Sequence, residues 1–239
     1  MNSCPFVVEA YVTERRSAKD RQRLRVVGVI TSATDLDFAM RMRSPPDLFE
    51  LRLDHLVRMV DELENKLSRL RAPLIITARH SQEGGANKLS TRQRRDLLSQ
   101  FLRQAHYVDV ELRSASALNP LLKLARRRKI RRIISFHNLK STPDPRRLRV
   151  KARAAKAHGA DIFKVATRTD TPVQLARLLD FITKKDVDLA VSAMGIGKLG
   201  AISRVLLSRA GSVLAYASLR DSDIEGQMSL EQLRAFGIQ

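Results

Sequence analysis

The chain has 239 residues, of which 44% are hydrophobic and 5% aromatic, with no tryptophan. This length and composition allow one large domain with an aliphatic core, because α/β barrels of this size need not split into two domains. Cys4 is the single cysteine, which excludes an intrachain disulfide and a cysteine-based metal cluster and favours a reduced, cytoplasmic setting.

The formal net charge of +19 would suit nucleic acid or an anionic membrane. The basic residues are spread over expected helix faces and loops, such as 126–129 and 146–156, without an aromatic stacking platform or a recognised nucleic-acid module. We therefore expect a solvated basic surface with no specific nucleic-acid partner. The positive electrostatic field of this surface would also attract a small anionic substrate.

Residues 1–20 mix charges into a mildly apolar stretch, which does not fit a signal peptide or an anchor. No uncharged run approaches the roughly 18 residues that cross a bilayer. We expect a soluble protein with no membrane partner and a short N-terminal extension at about 1–23.

Eight short extended segments recur along the chain, with room for one helix between each pair. They lie at 25–31, 48–54, 73–79, 107–112, 131–137, 161–167, 187–193 and 212–219. Apolar residues three and four positions apart fill the intervals, as at 56–70 and 175–182. Eight βα units in this length predict a (β/α)8 TIM barrel, and the absence of a low-complexity linker predicts a single domain over 1–239.

The second and fourth strands alternate charged with apolar residues. The charged faces are Glu50, Arg52 and Asp54 in one strand and Asp109 and Glu111 in the other. In a barrel the apolar face packs on the helices, so the charged face points inward. Buried charges persist only when they are paired or bind a polar ligand. An internal salt-bridge network is the alternative interpretation.

Lys164 stands in the middle of the apolar run DIFKVAT at 161–167. An ammonium group in apolar surroundings loses hydration, which favours the neutral amine, and such an amine attacks a ketone to form a Schiff base. His137 ends the fifth strand, and histidine is suited to moving protons near neutrality. A snorkelling lysine and a hydrogen-bonded strand-end histidine are the structural alternatives. Because barrel active sites form at the C-terminal ends of strands, we expect both residues and Arg79 at one mouth.

A loop with the sequence HSQEGG follows Arg79 at 80–85. Its two glycines let the chain fold closely over the mouth. The carboxylate of Glu83 is placed to hydrogen-bond His137, which would fix the histidine tautomer and raise its basicity.

This ordered set of motifs resembles the type I 3-dehydroquinate dehydratases, the Schiff-base enzymes of the shikimate pathway. The motifs are ELRLD at 50–54, TAR at 77–79, EGG at 83–85, DVE at 109–111, SFH at 135–137, TP at 142–143, FKVA at 163–166, MG at 194–195, SR at 203–204, GS at 211–212, YA at 216–217 and GQ at 226–227. Each motif is short, and the specificity comes from their order over most of the chain.

The resemblance implies a hydro-lyase that converts 3-dehydroquinate to 3-dehydroshikimate, in the pathway to chorismate and the aromatic amino acids. Lys164 would form an imine with the 3-keto group. His137, held by Glu83, would remove the C2 proton and protonate the departing C1 hydroxyl. The substrate-binding residues would be Glu50, Arg52 and Arg79 at the ring hydroxyls and Arg204 and Gln227 at the carboxylate, with Ser222 as a further candidate. The resemblance also implies a homodimer, and no metal or organic cofactor is required.

Three segments depart from the family pattern. The first strand has Gly28 and Thr31 where family members often carry a serine. The stretch from Met194 to Gly200 is two residues longer than usual, and the last loop reads SDIEGQ at 222–227, which puts Asp223 where a hydroxyl residue is customary. Two other classes remain open: a different Schiff-base barrel enzyme, such as an aldolase-like protein, and a basic polyanion-binding barrel without catalysis.

Overall fold

The computed structural model describes residues 23–184, 186–220 and 224–238. The strands are β1 (Arg25–Ile30), β2 (Leu48–Arg52), β3 (Leu74–Thr77), β4 (Tyr107–Glu111), β5 (Arg131–Asn138), β6 (Ile162–Arg168), β7 (Ala190–Ile196) and β8 (Leu214–Ser218). The helices are α1 (Ala33–Arg41), α2 (Val60–Leu67), α3 (Thr91–Phe101), α4 (Asn119–Arg127), α5 (Pro145–Ala157), α6 (Pro172–Thr183), α7 (Gly200–Arg209) and α8 (Leu230–Ala235), with 3-10 turns at Val57–Met59, Ser81–Glu83 and Leu112–Ser114.

All pairings in the sheet are parallel, in the order β7-β6-β5-β4-β3-β2-β1-β8. Between β7 and β8 the Val213 N–H donates to the Val191 carbonyl at 2.9 Å, which brings the two ends of the sheet together. The predicted (β/α)8 barrel is confirmed. Among the described residues, no helix combines the length and the apolar character that a bilayer crossing needs.

In the part of the chain that the structure describes, three helices begin with a capping box, in which a hydroxyl side chain and a glutamine satisfy the first free backbone N–H groups. The N-cap residues are Ser90 at α3, Thr171 at α6 and Ser229 at α8. Such caps fix where a helix starts, and in a barrel this sets the length of the loop that leads from each strand to its helix.

The barrel interior has an apolar floor and a polar upper layer. The first inward residues of β2 to β6 are Leu48, Ile75, Tyr107, Ile133 and Ile162. Two positions further along the same strands stand Glu50, Thr77, Asp109, Ser135 and Lys164, all buried. Side chains two residues apart share a strand face, so the predicted inward orientation of the charged faces in β2 and β4 is confirmed. The opposite faces, including Phe49, Leu51 and Val108, pack in the layer between strands and helices.

The seventh strand runs over Ala190–Ile196 and not over 187–193 as predicted. The chain turns before it, where the Leu189 N–H donates to the Val187 carbonyl at 2.8 Å. Pairing with β6 starts only at Ala190, which is opposite Ile162. The alternating apolar residues of this segment begin inside the turn, and the alternation alone does not show where pairing begins.

Two other strands end two residues earlier than predicted, β2 at Arg52 and β3 at Thr77. The Leu53 N–H still donates to the Thr77 carbonyl at 2.8 Å, and the chain then leaves the sheet. Asp54 and Arg79 therefore lie just beyond the strand ends, in the loops at the barrel mouth.

Candidate active site

Lys164 points into the barrel from β6 and is 3% exposed. Its Nζ donates to Oε1 of Glu50 at 3.1 Å and to Oδ2 of Asp109 at 3.0 Å. The ring of Tyr216 lies under the same atom, 3.8 Å from Nζ to the ring centroid. The amine thus stands in an apolar run of the sequence but contacts the two carboxylates that β2 and β4 point into the barrel. The amine must lose a proton before it attacks a carbonyl carbon, and Glu50 lies within hydrogen-bond distance to accept that proton.

Arg79 lies at the centre of the buried polar layer. Its guanidinium donates to Asp109 at 3.0 and 3.3 Å and to Oγ of Ser135 at 2.7 Å. Burial raises the pKa of Asp109, but the positive charges of Arg79 and Lys164 outweigh it and hold that pKa well below its usual range. Asp109 is thus a fixed negative charge between the two cations.

His137 and Glu83 form a pair at the end of β5. Oε2 of Glu83 lies 3.0 Å from Nδ1 of His137 and accepts the His137 backbone N–H at 2.9 Å. Burial and the charges of Arg79 and Lys164 lower the pKa of His137 well below its ordinary value. The ring is therefore neutral at pH 7, as a general base must be.

The carboxyl group of Glu83 titrates near neutrality. Burial and the negative charge of Glu111 raise the pKa of Glu83 to about 7, against the lowering effect of the His137 backbone N–H. The 3-10 turn Ser81–Glu83 presents the side chain, and Gly84 follows with φ of 84°. A Cβ on Gly85 would lie 2.1 Å from the Arg79 carbonyl, so this loop reaches the mouth only with glycine there.

Four cations already pair with carboxylates other than Glu83. The cations are Arg52, Arg79, Arg94 and Lys164, and the carboxylates are Glu50, Asp54, Asp109 and Glu111. None of these cations forms an ion pair with Glu83, so burial and the negative charge of Glu111 dominate its pKa.

Arg52 holds the mouth loop in place. Its Nε and Nη2 donate to the two oxygens of Asp54 at 3.0 and 2.8 Å, and Nη2 also donates to the Gly84 carbonyl at 3.1 Å. Asp54 in turn accepts the Ala86 N–H at 2.9 Å. The ion pair thus fixes both ends of the glycine segment beside Glu83.

Arg94 is a functional candidate that the sequence interpretation missed. It is fully buried on α3 and donates to the Ala78 carbonyl at 2.7 Å, to Ser114 at 3.0 Å and to the carboxylate of Glu111. Glu111 also accepts the His80 N–H at 2.7 Å, so Arg94 supports the start of the loop that carries Glu83. The available signal was helical spacing, because Arg94 shares the buried face of α3 with Leu98 and Phe101.

Arg204 is a buried guanidinium on α7 with carbonyl partners. It is 5% exposed and donates to the carbonyls of Gly226 at 3.1 Å and Tyr216 at 2.9 Å. No carboxylate of the described ranges lies within 4.0 Å of it. Burial lowers the pKa of Arg204 to about 10, which still leaves it charged at neutral pH. A buried guanidinium that is charged and has only carbonyl partners favours the binding of an anion.

The remaining substrate-binding candidates belong to the last loop. Gln227 follows Gly226, the acceptor of Arg204, and its backbone N–H donates to the Ile224 carbonyl at 3.0 Å. Close packing positions this loop, since a Cβ on Gly200 would lie 2.8 Å from the Cα of Gly226. Ser222 lies outside the described residues.

Comparison with known proteins agrees with this geometry. The model of the type I 3-dehydroquinase family matches residues 27–236. The 3-dehydroquinate dehydratase of Pyrococcus abyssi is 34% identical over 195 residues, which cover 80% of this chain and 86% of that protein. The enzyme of the same name from Dehalococcoides mccartyi is 35% identical over 188 residues, covering 77% and 82%.

Solved structures share the fold. The 3-dehydroquinate dehydratase of Aquifex aeolicus has a TM-score of 0.75 at 26% identity and covers 88% of this chain and 96% of that one. The Geobacillus kaustophilus enzyme has a TM-score of 0.81 at 24% identity, with 90% of each chain covered. The resemblance predicted from the motifs is confirmed, and the chain belongs to the type I 3-dehydroquinase family.

Proposed function

We propose that this chain removes water from 3-dehydroquinate to give 3-dehydroshikimate, through an imine on Lys164. The family match supports this hydro-lyase reaction. The observation that carries the mechanism is the position of the amine, which is buried between Glu50 and Asp109 in the barrel whose mouth also holds His137.

The first stage forms the imine. Lys164 transfers a proton to a neighbouring carboxylate, and its Nζ attacks the 3-keto carbon of the substrate. Loss of water from the adduct gives an iminium ion, whose positive nitrogen acidifies the proton on the neighbouring C2. Asp109, held ionised by Arg79, stays beside this cation throughout.

The second stage is proton transfer by His137. Because its Nδ1 faces Glu83, Nε2 is the nitrogen left to take the C2 proton. The electrons of that C–H bond pass into the enamine, and they then expel the C1 hydroxyl as the imidazolium protonates it. Hydrolysis of the conjugated imine releases the product and restores the lysine. One molecule of water is lost overall, since the water released on imine formation is returned by hydrolysis.

The substrate carboxylate is the proposed partner of Arg204, with Gln227 beside it. Support comes from the buried guanidinium itself, which meets carbonyl oxygens where a carboxylate would compensate its charge. The ring hydroxyls are assigned to Glu50, Arg52 and Arg79. Ser222 stays a substrate-binding prediction.

We further propose a homodimer, a cytoplasmic location and a single domain with an N-terminal extension at about 1–23. The family resemblance and the single cysteine support these proposals. The proposed steps use no metal or organic cofactor, because the lysine supplies the electrophilic activation.

Borohydride trapping tests the mechanism. The protein is incubated with 3-dehydroquinate, reduced and digested, and the added mass is located by peptide mapping. We expect one label per chain on Lys164 and none in Lys164→Met. Lys156→Met is the matched control, because Lys156 is on α5 and pairs with exposed Asp188 at 3.0 Å; it should label normally. A label on another lysine, or an active protein without label, would refute the imine on Lys164.

A further inference from the structure

We propose that the barrel end opposite the active site binds a small tetrahedral oxyanion between Arg25 and Arg131. These residues are the first of β1 and β5, so both stand at the N-terminal end of the barrel. The amine of Lys164 and the loop of Glu83 belong to the other end. The proposed site is therefore separate from the catalytic mouth.

Both guanidinium groups converge on the hydroxyl of Tyr107. The Nη1 of Arg131 donates to it at 2.8 Å, and the Nη1 of Arg25 makes a second, short contact with the same oxygen. The guanidinium carbons lie 5.2 Å (Arg25) and 5.6 Å (Arg131) from the Tyr107 ring centroid. A shared acceptor atom forces two like charges close together, which costs free energy unless an anion lies beside them.

This cluster has more donors than acceptors. The Tyr107 oxygen already accepts two hydrogen bonds, so its O–H must donate elsewhere, and no acceptor for it is found in ranges 23–184, 186–220 and 224–238. Within the same ranges neither Arg25 nor Arg131 has a carboxylate within 4.0 Å. Arg132, the next residue, shows the contrast, because its Nε pairs with Asp161 at 3.1 Å.

The surroundings favour an anion that approaches from solvent. Tyr107 is 3% exposed and backed by the apolar floor of the barrel, which strengthens electrostatic contacts at its tip. Arg131 is exposed, so the site is reachable. The three donor groups belong to residues on three strands, β1, β4 and β5. A phosphate-like ion presents four oxygens in tetrahedral directions and can face all three, whereas a carboxylate presents two oxygens in one plane.

Titration calorimetry with inorganic phosphate tests the site, with ionic strength held constant by sodium chloride. The measurements use the full chain and the Arg204→Gln variant, which removes the proposed anion-binding group of the mouth. We expect one saturable phosphate site per chain in both proteins. Loss of the binding in Arg204→Gln would place the ion at the mouth and refute the proposal.

Arg131→Gln should weaken phosphate binding by about tenfold or more, as expected for loss of a charge-assisted hydrogen bond, and leave kcat/KM for 3-dehydroquinate unchanged. Tyr107→Phe should weaken it less, since one neutral donor is lost. The matched control is Arg128→Gln, an exposed residue at the same barrel end that should bind phosphate like the unmodified chain. Equal binding in Arg131→Gln and Arg128→Gln, or a heat that chloride reproduces, would show a general salt effect and overturn the site.

Discussion

A single carboxylate oxygen of Glu83 holds His137 in two ways, at 3.0 Å from the ring Nδ1 and at 2.9 Å from the backbone nitrogen. The double contact fixes the ring relative to the loop that carries Glu83. It also makes the tautomer of the histidine depend on the charge of the glutamate. An ionised Glu83 accepts from Nδ1–H and leaves Nε2 free as a base, whereas a protonated Glu83 donates to Nδ1 and places the ring proton on Nε2.

Glu83→Gln should lower kcat by roughly a hundredfold at pH 8, because a neutral amide supports the imidazolium less well than a carboxylate. Imine formation on Lys164 should continue, so borohydride trapping still labels the variant. His137→Ala is the reference for complete loss of the base and should be slower still while it also forms the imine. Full activity in Glu83→Gln would show that the glutamate does not orient the base.

The pH dependence of kcat should follow Glu83. Since the pKa of Glu83 is raised to about 7, the base-competent tautomer gains population as pH rises through 7, and kcat rises with it. In Glu83→Gln this inflection should vanish. A pH–rate profile of kcat from pH 5.5 to 9, recorded for the unmodified chain and for Glu83→Gln, measures both curves. If the inflection near pH 7 persists in the variant, a group other than Glu83 causes it.

Stability should show the opposite trend at the same residue. A pKa raised from 4.5 to about 7 means that the fold favours the protonated carboxyl, so its contribution to stability is complete below pH 4.5 and is lost as pH rises through 7. Glu83→Gln stays neutral and should gain in Tm relative to the unmodified chain between pH 5 and pH 8. Thermal unfolding at the two pH values checks the sign of the difference.

Arg204→Gln should raise KM for 3-dehydroquinate by roughly a hundredfold, as expected when two charge-assisted hydrogen bonds to a carboxylate are lost. The effect on kcat should be smaller, because Arg204 binds the substrate away from the amine. Arg209→Gln, at the exposed end of the same helix, is the matched control and should have normal kinetics. An unchanged KM in Arg204→Gln would place the substrate carboxylate elsewhere.

Tyr216→Phe should stabilise the protein by about 1 kcal/mol, because a buried hydroxyl without a partner is costly. Within the described part of the chain the Tyr216 hydroxyl has no hydrogen-bond partner, and the ring beneath Lys164 is kept by phenylalanine. Tyr107→Phe is the contrasting variant, since that hydroxyl accepts from two arginines, and it should lose stability. Urea unfolding measures the free energy of unfolding of both variants. A destabilised Tyr216→Phe would mean that the Tyr216 hydroxyl has a hydrogen-bond partner.

Arg94→Met should destabilise the fold by about 3–5 kcal/mol, because Glu111 would keep a buried charge after losing its partner. The expected secondary effect is a looser loop at His80, whose N–H Glu111 accepts, and hence a lower kcat. Arg92→Met is the control, since that side chain is 84% exposed. Equal urea midpoints for the two variants would show that the buried pair contributes little.

Much of the site was predictable from local sequence patterns. Alternation along β2 and β4 indicated that Glu50 and Asp109 point inward, and a polar residue at the end of β5 indicated a role for His137, because strand geometry has a strict period of two. The start of β7 was not predictable, since the same alternation continues through the turn that precedes it.

The sequence by itself determined the eight βα units, the inward faces and the motif set of the family, because each of these depends on residues close together in the chain. Only the tertiary structure decided which carboxylates the buried cations contact. Lys164 meets Glu50 across 114 positions of the chain, and Arg94 meets the carboxylate of β4 from a helix outside the barrel. Such contacts depend on barrel closure and strand register, which set the distances that no local pattern contains.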